Sequence, residues 1–265
     1  MLYHAKEDVL KLGENEIRYI SFGNGERPLV MIQGLNTHSI KGMALPLAFA
    51  YRLFAKDYRV YLFDRPSKLF ESITVRDLAA SSAAAMDALG LKNADVLGVS
   101  QGGMLAEYLA IDRPDLVRKM VLAVTLSKNN PIVECAIQKW TNLAIAKDFK
   151  TMVVDMAERM YSSKYVRRYK LLMPLLVALQ KPRDISRFLT LAKACLTCNA
   201  YDELEKIACP TLVIGAGEDR VVGAEASHEI AEKLGCEIFM YEKLGHAAYE
   251  EAKDFNRRVL DFFKK

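Results

Sequence analysis

Long apolar runs are scarce in this sequence of 265 residues. The longest candidate, residues 171–179, is interrupted by Pro174 and falls well short of the roughly 20 residues that cross a bilayer. No membrane partner is therefore expected, and the segment reads as a buried helix. An apolar signal-peptide core is also missing, since residues 1–10 carry Lys6, Glu7 and Asp8, so the expected location is the cytoplasm. Cysteine is sparse and odd in number, five in all, which argues against a disulfide framework and fits a reducing compartment. Cys195 and Cys198 stand in C-x-x-C spacing, but neither a strand-to-helix turn nor a second Cys/His pair lies nearby. They read as ordinary buried thiols on a helix. A strong charge of one sign is absent too, the formal net charge being +4, and no nucleic-acid partner is expected.

The charge is unevenly placed. Residues 127–200 hold 13 Lys+Arg against 5 Asp+Glu, while the remainder holds 24 against 28. Such a segment can steer an anionic partner, or can be no more than a solvated helical face. Otherwise, 51% of residues are apolar and 26% are charged, the composition of an ordinary globular chain.

Residues 9–12 and 16–22 alternate in polarity around Gly13, Glu14 and Asn15, the pattern of an antiparallel hairpin. Continuous apolar runs then follow at 28–32, 59–63, 94–99, 120–124, 211–214 and 237–241. Runs of this kind suit strands covered on both faces, as in a parallel sheet. Helical patterns fill the gaps: one capped by Thr74 and stopped by Gly90, one over 224–234 closed by Gly235, and a last one carrying Phe255, Val259 and Phe262. The alternation predicts an α/β fold with a doubly wound, mostly parallel sheet. Residues 127–201 break the rhythm, with amphipathic helices and no strand. They are too many for one crossover and read as an inserted α-helical cap, with 1–126 and 202–265 forming the core.

The most informative stretch is Gly98-Val99-Ser100-Gln101-Gly102-Gly103, directly after one apolar strand and before a helix over 104–111. A serine hydroxyl projected into a cleft must sit on a sharp, strained turn. Its neighbours two positions away, Gly98 and Gly102, must then be small enough for strand and helix to pack closely. Such a hydroxyl needs an adjacent base, and the chain has four histidines. His4 precedes the sheet, and His228 shares a helix face with Glu225 and Glu232. His38 follows the first parallel strand, where it can line a pocket. His246 lies past an apolar strand and before the final helix, at the sheet end where ligands bind, and is the candidate base. A carboxylate must hold the imidazole's tautomer. Asp219, in the turn after the 211–214 run, is the candidate, with Glu218 beside it as the rival.

These residues, in the order Ser100, Asp219, His246, resemble the α/β-hydrolase superfamily in its serine-nucleophile branch with a helical cap. The similarity spans essentially the whole chain. It rests on the residues around Ser100, on Gly217-Glu218-Asp219-Arg220-Val221-Val222, and on Gly245-His246. It implies that no metal and no organic cofactor is needed. The backbone N–H of Gln101 is expected as one oxyanion donor, and by similarity that of Leu35 as the other. The sequence departs from the commoner pattern at Gln33, where relatives carry His. It departs again at Asp64-Arg65-Pro66-Ser67, where many have a glycine-rich turn, and Arg65 is read as structural.

The resemblance implies a small-molecule acyl substrate, an ester, thioester or lactone, anionic if the basic segment steers it. A carbon–carbon hydrolase or lyase of a carboxylated metabolite is the enzymatic alternative, because the same trio serves both. A ligand receptor that retains the trio without turnover is the second class. Trp140, Met152, Met156, Met160, Leu172, Leu175 and Leu176 are candidates to line an apolar acyl pocket. The sequence does not indicate the oligomeric state.

Overall fold

The computed structural model describes residues 2–265. Its first strands, β1 (Lys6–Leu12) and β2 (Asn15–Phe22), pair antiparallel across a tight turn in which Gly13 takes φ 64°. Next come β3 (Arg27–Ile32), α1 (Ala44–Ala50), β4 (Tyr58–Phe63), α2 (Val75–Ala88), β5 (Ala94–Val99), α3 (Gln101–Asp112) and β6 (Val117–Ala123). After a helical excursion the chain resumes with β7 (Thr211–Ala216), α9 (Ala224–Leu234), β8 (Glu237–Tyr241), α10 (Ala248–Glu251) and α11 (Phe255–Lys264). The eight strands form one sheet in the order β1-β2-β4-β3-β5-β6-β7-β8, parallel from β4 onward.

Period-two alternation gives the central strands β3, β5, β6 and β7 two buried faces, whereas the edge strands β1 and β8 bury no residue fully. Val30, Ile32, Val96 and Leu122 join the core under α2, α3 and α9. Leu29, Met31, Leu97 and Val121 join the opposite core under α1 and α11. Local signals set the helix ends. Thr74 accepts the Asp77 N–H at 3.1 Å while the Asp77 carboxylate accepts the Thr74 N–H at 2.9 Å, a reciprocal cap. Gly235, in the left-handed region at φ 59°, closes α9.

Between β6 and β7 lie α4 (Pro131–Ile145), α5 (Phe149–Met160), α6 (Ser163–Tyr169), α7 (Met173–Gln180) and α8 (Ile185–Cys195). The segment leaves and re-enters the sheet at one place, for the Ser127 carbonyl accepts N–H bonds from Ala200 at 2.7 Å and Tyr201 at 3.1 Å. Asp155 binds α4 to α5 by accepting the Trp140 indole N–H at 2.9 Å and pairing with Lys139 and Arg159.

One expectation is corrected. Residues 171–179 are not a buried helix: Leu171 is 93% exposed, Leu175 and Leu179 are exposed as well, and α7 buries no residue. Pro174 sits in the first turn of α7, where its missing N–H costs nothing. The apolar side chains divide: Leu172 and Leu176 line a cavity, Leu171 and Leu175 face outward, and Val177 packs partly buried against the core. Cys195 ends α8 and Cys198 follows it; both are buried, and all five cysteines are free thiols.

Candidate active site

Strand order changes direction between β3 and β5, since β4 lies on one side of β3 and β5 on the other. At such a switch point the loops leaving the carboxyl ends of the two strands diverge and open a crevice. Ser100 stands there, between β5 and α3, at φ 53° and ψ −123°. A non-glycine residue holds that conformation only when its surroundings over-determine it. The surroundings are the flanking glycines. A Cβ on Gly98 would come within 2.6 Å of the Gly102 carbonyl oxygen, and one on Gly102 would collide with the Ile32 carbonyl of β3. The turn is also tied down: the Ser100 N–H donates to Ala123 O at 2.9 Å, and the Ser100 carbonyl accepts the Thr125 hydroxyl at 2.8 Å.

His246 lies in the loop between β8 and α10 and is 3% exposed. Its Nε2 is 2.9 Å from Ser100 Oγ and its Nδ1 is 2.8 Å from Asp219 Oδ2. Asp219 follows β7, and its second oxygen accepts the N–H groups of Val221 at 2.8 Å and Val222 at 3.0 Å. Burial alone would raise the Asp219 pKa, but His246 and the two backbone donors outweigh it, and the carboxyl sits below the ordinary aspartate value. The neighbouring Glu218 is exposed and its carboxylate takes no part in this line. The three sequence candidates are thus brought together, and the rival carboxylate is not.

The two backbone donor candidates lie in segments next to Ser100. Gln101 is the first residue of α3, so its N–H has no intrahelical acceptor. A Cβ on Gly34 would come 3.2 Å from Ser100 Cβ, which brings the Gly34–Leu35 loop against the nucleophile turn. The Leu35 N–H has no acceptor among the described residues.

Ser100 and His246 open into a cavity of about 830 Å³ under α4–α7, within the range of sites that hold drug-sized molecules. Trp140, Met156, Met160, Leu172 and Leu176 line it as expected. Two candidates do not: Met152 is fully buried in the core, and Leu175 faces outward. His38 lines the cavity with Nδ1 2.9 Å from the Thr37 hydroxyl; partial burial and nearby Arg183 hold its imidazole below the usual value. His4 and His228 are exposed, away from the cavity.

Sequence reasoning missed one wall. Tyr161, Tyr165 and Tyr169 line the cavity as a ladder with ring centroids 4.5 and 4.4 Å apart. The Tyr161 hydroxyl donates to Glu250 at 2.5 Å, and burial among these groups raises the Glu250 carboxyl above the ordinary value. Their spacing of four residues, one helical stripe, was the available signal. Among the described residues, no group of three or more His, Cys, Asp or Glu is arranged to hold a metal ion.

Known proteins place this geometry in context. A hydrolase of 2-hydroxy-6-oxononadienedioate and 2-hydroxy-6-oxononatrienedioate from Pseudomonas sp is 26% identical over 263 residues, covering 92% of this chain and 90% of the relative. A 2-hydroxy-6-oxo-6-phenylhexa-2,4-dienoate hydrolase from Comamonas testosteroni is 27% identical, covering 78% of each. An enol-lactonase from Burkholderia xenovorans superposes with a TM-score of 0.84 at 19% identity, over 97% of this chain and 100% of that one. The family model described as the alpha/beta hydrolase fold matches residues 27–253. With that match and the eight-stranded sheet, the chain belongs to the α/β-hydrolase family.

Proposed function

We propose that the chain is a serine hydrolase that cleaves a small to medium carboxylic ester, thioester or lactone. The observation that carries this reading is the unbroken line Ser100–His246–Asp219, at 2.9 and 2.8 Å, on the floor of a largely apolar cavity. Ser100 Oγ attacks the acyl carbon while its proton passes to His246 Nε2. The Asp219 carboxylate accepts the Nδ1–H and stabilises the imidazolium. The Leu35 and Gln101 N–H groups receive the developing oxyanion. His246 then protonates the departing alcohol, thiol or ring oxygen and leaves Ser100 acylated. Water attacks that ester with His246 again as base, releases the acid and restores the hydroxyl. In this reading residues 127–201 are a cap that closes over the acyl group, and neither metal nor organic cofactor takes part.

A panel of p-nitrophenyl esters of graded acyl length tests the reading. The wild-type chain should hydrolyse them with a preference set by the cavity, and Ser100→Ala should lose at least about 10³-fold in kcat. Wild-type turnover in the alanine variant would remove the assignment.

A second reading is favoured by the two dienoate-hydrolase relatives. Lys41 and Arg183 line the cavity and form no ion pair among the described residues, which suits a substrate that carries a carboxylate. Turnover of 2-hydroxy-6-oxo dienoic acids with negligible esterase activity would establish carbon–carbon cleavage in place of ester cleavage. Saturable ligand binding with an inert Ser100 would instead indicate a receptor.

A further inference from the structure

The Asp64-Arg65 pair after β4 touches neither Ser100 nor His246, yet it reaches both segments that carry the oxyanion donors. The Arg65 guanidinium is buried. One terminal nitrogen donates to the Gln33 carbonyl at 2.6 Å and to Gln101 Oε1 at 3.0 Å, while Nε donates to that same oxygen at 3.2 Å. Asp64 holds the far end of the Leu35 loop, accepting the Ser39 hydroxyl at 2.6 Å and the Ile40 N–H at 3.1 Å. The Gln101 amide is fixed on its other side as well, donating to the Leu191 carbonyl of α8 at 2.7 Å. Arg187 secures the pair from outside through the carbonyls of Arg65 and Pro66.

The geometry points to Arg65 as a positioning residue for the oxyanion hole, a single planar fork that sets the Leu35 and Gln101 segments relative to one another. This rests on the serine-hydrolase reading and assigns a role that reading does not need. Two donors on separate loops stabilise an oxyanion only if both stay aimed at one point, and an error of about 1 Å is costly. A lysine in place of Arg65 would keep the charge. It would lose the fixed, multi-donor geometry that lets one group serve both the Gln33 carbonyl and the Gln101 amide. Burying this cation beneath the site is otherwise unfavourable: burial lowers the guanidinium pKa to about 10.

The test compares wild type, Arg65→Lys and Gln101→Leu, the last of which leaves the backbone donor in place. The readouts are kcat and KM for p-nitrophenyl butyrate and the inhibition constant of a trifluoromethyl ketone, whose hydrated or serine-bound form mimics the oxyanion. We expect kcat to fall on the order of 10–100-fold in Arg65→Lys and less in Gln101→Leu. KM should stay within about twofold, and ketone affinity should fall in parallel with kcat. The double variant should lose less than the product of the two single losses, because both substitutions remove the shared Arg65–Gln101 contact. Ketone affinity unchanged in the soluble, folded variants, or a loss confined to KM, would overturn the inference and leave the hydrolase reading intact. A wild-type chain with no Ser100-dependent turnover would overturn that reading, and this inference with it. Should Arg65→Lys fail to fold, Gln101→Leu alone decides: unchanged ketone affinity there refutes the role.

Discussion

The Ala247 N–H donates to the Met160 carbonyl at 2.7 Å, so the residue after His246 is fastened to the last turn of α5. A Cβ on Gly245 would approach that same carbonyl to 2.7 Å. The loop that presents the imidazole is therefore fitted against the helical segment over the cavity, and glycine is what allows the fit. The fit carries a consequence for Gly245→Ala: either the loop or the end of α5 must shift. We predict a fall in kcat on the order of 10–100-fold with a folded protein, checked by ester kinetics beside thermal melting.

Asp219→Asn keeps the shape of the side chain and removes its charge. The imidazole would lose the acceptor that fixes its tautomer, and kcat should drop on the order of 10³–10⁴-fold. The acid side of the stability curve should change as well. The Asp219 carboxyl is below its ordinary value in the folded chain, so its contribution is complete above the unfolded pKa near 4. It disappears as pH falls through the lowered folded value. Urea titrations from pH 7 downward should show wild type losing stability more steeply than Asp219→Asn below about pH 4.

Glu107 has the opposite sign. It is fully buried on α3 beside the point where the helical segment joins the sheet. It accepts the Ser127 hydroxyl at 2.8 Å, and its second oxygen has no partner among the described residues. Burial raises its carboxyl well above the ordinary value. The folded chain therefore keeps a proton that the unfolded chain releases near pH 4, and stability falls as pH rises from there through the raised value. Glu107→Gln, neutral throughout, should flatten that decline, so the melting temperature of the variant should gain on wild type as pH rises from 5 to 9.

How much of this was legible in the sequence follows from how local each signal is. Gly98, Ser100 and Gly102 could be read because the turn constrains its own neighbours. The apolar runs gave the sheet because a strand buried on both faces must be apolar throughout. The rule that ligands meet the carboxyl ends of strands singled out His246 among the four histidines, but it left Glu218 as a rival to Asp219, because adjacent residues of one turn cannot be separated by such a rule. Arg65 reads as structural because the stretch after it lacks the glycine-rich turn of many relatives; its positioning contacts are not legible there, since its partners, the Gln33 carbonyl and the Gln101 amide, are distant in the chain and one is backbone. Residues 171–179 misled for a related reason: an apolar run has the same composition whether it faces a core, a cavity or the outer surface.

The most direct measurement of the central claim is covalent labelling with a fluorophosphonate, followed by mass spectrometry of the modified peptide. A serine made nucleophilic by the line through His246 and Asp219 should carry the phosphonyl group at Ser100, and His246→Ala should lose the labelling. A native, folded chain that stays unlabelled at Ser100, or that labels equally without His246, would contradict the account.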